Sequence, residues 1–233
     1  MVTGRARAQR IAELRAVPQL AIDWVHGTRK FAYPANGSAA ERYRDGDSAP
    51  VVLLPGVYET WHFMKPIAES LHRLGHPVHV VEALGKNVAP VADAAALAAR
   101  YITDHDLRDV VLVGHSKGGL IGKHLMLVDD TDARIDRLIA IASPFSGSSR
   151  ARFFVNRPLR AFVPTEATLV MLAKNAEANA RITSIYGSID AHIPEGSELP
   201  GATNIEVPIV GHFRLLSDDR VIRAIAEAAE KPS

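Results

Sequence analysis

Residues 114–118 read Gly-His-Ser-Lys-Gly, a G-x-S-x-G pattern with a further glycine at 119. The chemistry such a spacing can do is acyl transfer through Ser116. A serine on a sharp turn between a strand and a helix takes a strained backbone conformation. Neighbours two residues away must then lack a Cβ, or they collide with the adjacent elements. The turn lifts the hydroxyl clear of the sheet and aims a helix N-terminus at it, where partial positive charge favours a developing oxyanion. The local sequence fits: the apolar run VVLV precedes the motif and GGLIGKHLMLV follows it.

A serine hydroxyl is a weak nucleophile without a base, and the base needs an orienting acid. Where the nucleophile lies on such a turn, acid and histidine follow it in chain order, on loops leaving later strands. Asp190 follows the apolar run 182–186 and His212 follows the run 204–207, so Ser116, Asp190 and His212 are the candidate triad. Among ten histidines, His192 lies closest to Asp190 and is the rival base, whereas His115 adjoins the serine and is expected to pack away from it. His72, His76 and His79 straddle a glycine turn, a proline and a strand start, a spacing that gives no shared face for a metal. Asp218 and Asp219 fall at a helix start and read as capping and dipole partners rather than as the acid.

An oxyanion hole needs two N–H donors. Lys117, directly after the serine, supplies one; Val57, beside Gly56 in the loop LPGVYETW, supplies the other. Tyr58 in that loop, Phe145 and Phe153 are the candidate substrate-binding side chains. Neither a cofactor nor a metal is called for.

The elements that must position these groups are visible as an alternation. Short, almost wholly apolar runs at Val51–Leu54, Val78–Val81, Val110–Val113, Leu138–Ile141, Ile182–Tyr186 and Asn204–Val207 lack the strict two-residue period of a half-exposed strand. They read as strands covered on both faces. Segments of helical period lie between them at 60–74, 91–103, 118–128, 166–179 and 218–230, the last with Ser217 as a plausible N-cap. Strand alternating with helix predicts an α/β fold with a mostly parallel central sheet and helices on both faces. Ligands in such sheets bind beyond the carboxyl ends of the strands, where the candidate residues fall.

These motifs resemble those of the α/β-hydrolase superfamily, and within it the small bacterial lipases and esterases. The resemblance runs from about Val51 to Ile225 and rests on LLPG, GHSKGG, ASPFSGS, YGSIDAHIP and VGHFRLL. It implies Ser116 as nucleophile, His212 as base, Asp190 as acid, and Val57 and Lys117 as oxyanion donors. Two positions depart from the common pattern. Pro55-Gly56 stands where many relatives carry His-Gly, and Lys117 stands where Met, Leu or Gln is frequent, which would set a cation beside the pocket. Ala142–Ser148 is similar to the stretch that frames entry to the lid of lipases.

The expected organisation is an N-terminal extension over residues 1–50, packed on the core, and a hydrolase domain over 51–233 with a short lid at about 144–180. Residues 6–26 could form one or two amphipathic helices, and 36–50 reads as a loop. Within the lid, 150–163 (RARFFVNRPLRAFV) mixes four arginines with three phenylalanines. As a lid it would hold its aromatics over an acyl pocket; otherwise it is a surface loop anchored by them. The expected reaction is carboxylic ester hydrolysis on a small-molecule substrate. Thioesterase, amidase and acyltransferase chemistry would use the same triad, and a non-catalytic ligand-binding protein on this fold is the reading from another class.

Bulk composition narrows the field. Of 233 residues 47% are hydrophobic, and 27 Lys and Arg balance 26 Asp and Glu, so no overall field points to nucleic acid. The absence of cysteine removes disulfides, a thiol nucleophile and thiolate metal sites. No secretory signal and no run of about 18 apolar residues is visible. The expectation is a soluble cytoplasmic protein of unknown oligomeric state.

Overall fold

The computed structural model describes residues 38–230 together with Pro18 and Asp23. The apolar runs become six strands: β1 (Val51–Leu54), β2 (Val78–Val80), β3 (Val110–His115), β4 (Ile135–Ile141), β5 (Ile182–Ile189) and β6 (Thr203–Val210). They form one sheet in the order β2-β1-β3-β4-β5-β6, every pairing parallel. Each carries one residue to one face and the next to the other. Val51 and Leu53 join a core with Ile67 and Leu71 of α1 (Lys65–Arg73) and with Val221 and Ile225 of α5 (Asp219–Ala229). Val52 and Leu54 join the opposite core, with Ala94 and Ala98 of α2 (Val91–Asp104), Leu120 of α3 (Lys117–His124) and Leu172 of α4 (Ala167–Lys174). Two cores explain the continuous apolar runs, since neither face of a central strand meets water.

The chain leaves β1 toward β2 and returns across it to β3, so the loops after β1 and β3 diverge above a crevice. That switch point is where an open parallel sheet binds its ligand, and both the Pro55–Trp61 loop and Ser116 lie there.

Several boundaries differ from the sequence reading. β4 begins three residues earlier, at Ile135, and β5 and β6 each run three residues further, to Ile189 and Val210, because the parallel ladders continue past the expected ends. The N-cap of α5 is Asp218, whose carboxylate accepts from the Arg220 N–H, not Ser217. The stretch 166–179 is helical only to Lys174; Asn175 then turns its side chain back to donate to the Met171 carbonyl. The α3 region closes through a π turn at Leu125–Asp129, tied by His124 Nδ1 to Asp129 at 2.7 Å. Part of the loop expected at 36–50 is a 3₁₀ helix, Ser38–Tyr43. Its Tyr43 packs edge-on to Trp61 and donates to Glu69, tertiary contacts that leave no periodic trace in sequence. The amphipathic helices expected in 6–26 lie outside the described residues, Pro18 and Asp23 excepted.

Candidate active site

β3 ends at His115 and α3 begins at Lys117, leaving Ser116 alone at the turn with φ 51° and ψ −115°. Its N–H donates to the Ile141 carbonyl at 2.8 Å, which pins the turn to β4. The flanking glycines are forced by approach: a Cβ on Gly118 would overlap the Leu54 carbonyl oxygen, and one on Gly114 would stand 2.5 Å from the Gly118 carbonyl carbon. As the first residue of α3, Lys117 presents its amide among the free N–H groups of the helix start.

Asp190 and His212 come together from the ends of β5 and β6. His212 Nδ1 lies 2.6 Å from Asp190 Oδ2, and both side chains are over nine-tenths buried. His192 sits on the other side of the same carboxylate. Its backbone N–H donates to Asp190 Oδ1 at 2.7 Å, its Nδ1 stands 3.6 Å from that oxygen, and its ring is 4.8 Å from that of His212. Burial by itself would raise Asp190, but the two imidazoles beside it prevail and hold the carboxyl well below the usual range. Burial pushes His212 down against the pull of Asp190, with His115 and His192 pushing the same way as burial. The exposed neighbour His192 goes up: the hydrogen bond and charge of Asp190 outweigh its desolvation. One carboxylate thus serves two histidines, of which the buried one favours its neutral, basic form.

Two acids that the sequence reading did not single out hold this arrangement. Asp23 is buried, and its Oδ1 accepts from the Phe213 and Arg214 N–H groups at 2.8 and 2.9 Å while its Oδ2 accepts from the His212 N–H at 2.9 Å. A Cβ on Gly211, which has φ 128°, would come within 2.6 Å of Asp23 Oδ1, so glycine before the histidine makes the room the carboxylate occupies. Glu59, 2% exposed, accepts the Gly56 N–H at 2.9 Å and meets His115 Nδ1 at 2.9 Å; His115 Nε2 in turn lies 3.3 Å from the His212 carbonyl. His115 therefore does more than pack. It joins the Pro55–Trp61 loop to the backbone of His212. A lone acid inside the apolar stretch LLPGVYETWHF was the available signal for Glu59. Asp23, 189 residues from His212, left none.

A cavity of about 510 Å³ opens over these groups, and Ser116, His192 and His212 all line it. Val57, Tyr58 and Glu59 form one wall, and Phe154, Leu159 and Phe162 form another. Its size falls within the range of small-molecule sites. Tyr58 lines it. Phe145 does not: it is buried in the core on the α2–α3 face of the sheet. Phe153 points into solvent, and its neighbour Phe154 takes the wall position instead. The Lys117 side chain turns away from the cavity. Its ammonium donates to the Asn87 carbonyl at 2.8 Å, to the Asn87 side chain and to the Ala89 carbonyl, and burial lowers it to about 8. The cation thus braces the loop before α2 and does not face a substrate.

Asp190, His192 and His212 bring three possible metal-ligand atoms within 4.8 Å of one another, yet both histidines already turn Nδ1 toward the carboxylate. His72, His76 and His79 face Asp45, the Ala49 carbonyl and Tyr101 respectively, three directions rather than one.

Comparison with known proteins places this architecture. The fold matches the mature form of a lipase from Bacillus licheniformis at a TM-score of 0.66, with 16% identity over 78% of this chain and 92% of that one. An extracellular alpha/beta-hydrolase from a Paenibacillus species matches at 0.53, with 19% identity over 77% and 97%. A protein from Listeria innocua matches at 0.56, with 17% identity over 80% and 96%. At such identities the likeness is one of fold, and that fold is the α/β-hydrolase fold. No curated protein matches the sequence. A profile of the PGAP1-like alpha/beta domain matches residues 81–197, a span that holds Ser116 and Asp190 and stops short of His212.

Proposed function

We propose a serine-hydrolase function on one premise: the chain belongs to the PGAP1-like alpha/beta domain family. The observation that carries the proposal is convergence. Ser116 at its strained turn and His212, 2.6 Å from Asp190, line one cavity whose walls are mainly apolar. The lipase name of one structural neighbour agrees with this reading.

The proposed reaction is ester hydrolysis through an acyl-serine intermediate. Ser116 Oγ attacks the carbonyl carbon of a bound carboxylic ester as His212 Nε2 takes its proton. Asp190 stays ionised throughout, holds the imidazole through Nδ1 and stabilises the imidazolium that forms. The carbonyl oxygen, now an anion, is met by the Val57 and Lys117 amides, Lys117 being at the start of α3. His212 then protonates the departing alcohol, leaving an acyl-serine. Water entering the site loses a proton to His212 and attacks the acyl carbon, and collapse releases the carboxylic acid and restores Ser116. The apolar wall of Phe154, Leu159 and Phe162 takes the acyl portion.

A fluorophosphonate probe should label the protein at Ser116. Ser116→Ala should abolish labelling and lower turnover of a p-nitrophenyl ester by about 10⁴-fold or more. A folded wild-type chain that is not labelled would overturn the hydrolase reading in favour of a non-catalytic ligand-binding role. Matched ester, thioester and amide substrates then rank the possible leaving groups.

A further inference from the structure

We infer that the segment Arg152–Arg160 is a docking surface for an anionic lipid bilayer. Phe153, Phe154 and Val155 are 73%, 45% and 95% exposed, three consecutive apolar residues in solvent. Isolated exposed apolar side chains are common on proteins, but a contiguous apex of this kind marks an interaction site. Arg152, Arg157 and Arg160 flank the apex and are all exposed, with the Arg152 guanidinium 4.8 Å from the Phe153 ring centroid. No Asp or Glu occurs between residues 137 and 165.

An apolar tip ringed by cations matches the layers of an anionic membrane surface. The arginines meet the headgroup phosphates, at about 1 kcal/mol for each cation near the surface, while the tip enters the boundary below them. Val155 decides between partners. An aliphatic side chain gains nothing by stacking on nucleobases, but it does gain by leaving water for acyl chains. Continuity with the cavity points the same way, because Phe154 belongs both to the apex and to the cavity wall. Docking would set the cavity mouth at the bilayer. The inference does not depend on the catalytic reading, since lipid binding can be measured without turnover.

The test is co-sedimentation of the full chain with vesicles of equal phosphatidylcholine and phosphatidylglycerol, beside vesicles of phosphatidylcholine alone. Binding should be confined to the anionic vesicles and be lost at about 1 M salt, where the screening length is about 3 Å. Each of Arg152→Gln, Arg157→Gln and Arg160→Gln should weaken binding about fivefold, and the triple variant roughly a hundredfold. Val155→Asp should weaken it as well while leaving hydrolysis of a soluble ester unchanged. Ser116→Ala should bind as the wild type does, which separates this result from any failure of the hydrolase proposal. Equal binding to both vesicle types, or variants that bind like the wild type, would overturn the inference. So would an apex that instead mediates self-association, or nucleic-acid binding that Val155→Asp leaves intact.

Discussion

The loop carrying His212 and the segment from Arg152 to Arg160 both border one cavity, and they are built in opposite ways. Around His212 the backbone is held by buried acceptors from distant parts of the chain: Asp23 takes three consecutive N–H groups, and Glu59 acts through His115 on the His212 carbonyl. Along the other segment, apolar and cationic side chains stand in solvent on a frame of single helical turns. The proposed role of His212 as general base demands placement to a fraction of an ångström, because a misplacement of about 1 Å can cost on the order of a hundredfold in rate. A surface that meets a fluid partner needs no such definition. Precision here is supplied by long-range charge in the interior, and reach by a short exposed segment.

Removing the acceptor of the base loop should break the comparison most strongly. Asp23→Ala leaves the buried His212 and Phe213 N–H groups and the part-buried Arg214 N–H without their carboxylate, and each buried group so abandoned costs about 1–3 kcal/mol. Against a total stability of about 5–15 kcal/mol the Ala variant is expected to lose several kcal/mol, seen as a large drop in the urea midpoint. Asp23→Asn is the gentler probe. Its amide oxygen can still accept from Phe213 and Arg214, but its NH₂ would face the His212 N–H. It should therefore fold, lose about 1–3 kcal/mol, and lower kcat with little change in KM. If both variants matched the wild type in stability and rate, the base loop would not need its distant anchor.

The same contrast sets what could be read from the sequence. The sheet was legible because strands covered on both faces need continuous apolar runs, and because Gly114 and Gly118 answer to close approaches within a few residues of Ser116. The loops carrying Asp190 and His212 were legible for a related reason: each directly follows a strand. Asp23 was not, since a single aspartate 189 residues from the N–H it accepts changes no local pattern. Lys117 misled for a physical reason as well. Its position in the motif fixes where its amide lies, but its long side chain is free to seek acceptors, and it finds them at Asn87 and Ala89. Phe153 and Phe154 are alike in composition, and only the path of the backbone decides which one faces the cavity.

A second prediction sharpens the electrostatic side of the base loop. Burial first, and then His115 and His192, lower His212 while Asp190 raises it, so the neutral base should persist to a pH below its ordinary 6.5. On the acid side, kcat/KM should fall only as pH drops through that lowered value. His192→Gln removes one of the charges that lower His212, and it also leaves Asp190 to a single imidazole. Both changes favour protonated His212, so the acid limb should move to higher pH while the plateau rate changes little. A limb that stayed in place, or moved down, would show that His192 does not act on the base through this carboxylate.

The smallest effect is expected where the contrast is sharpest, at Val155. With 95% of its surface in water, this residue makes almost no contribution to the folded core, and exposed substitutions of this kind usually fall within about 0.5 kcal/mol of the wild type. Val155→Asp should therefore leave the urea midpoint and slope where they were, even as it weakens any lipid binding of the apex. The outcome is informative because of its size. A loss above about 1 kcal/mol would mean that the side chain is covered in solution, by the N-terminal residues or by a second copy. The apex would then belong with the base loop among the packed parts of the molecule. An unchanged midpoint leaves Val155 free for a partner, and the vesicle measurements then identify it.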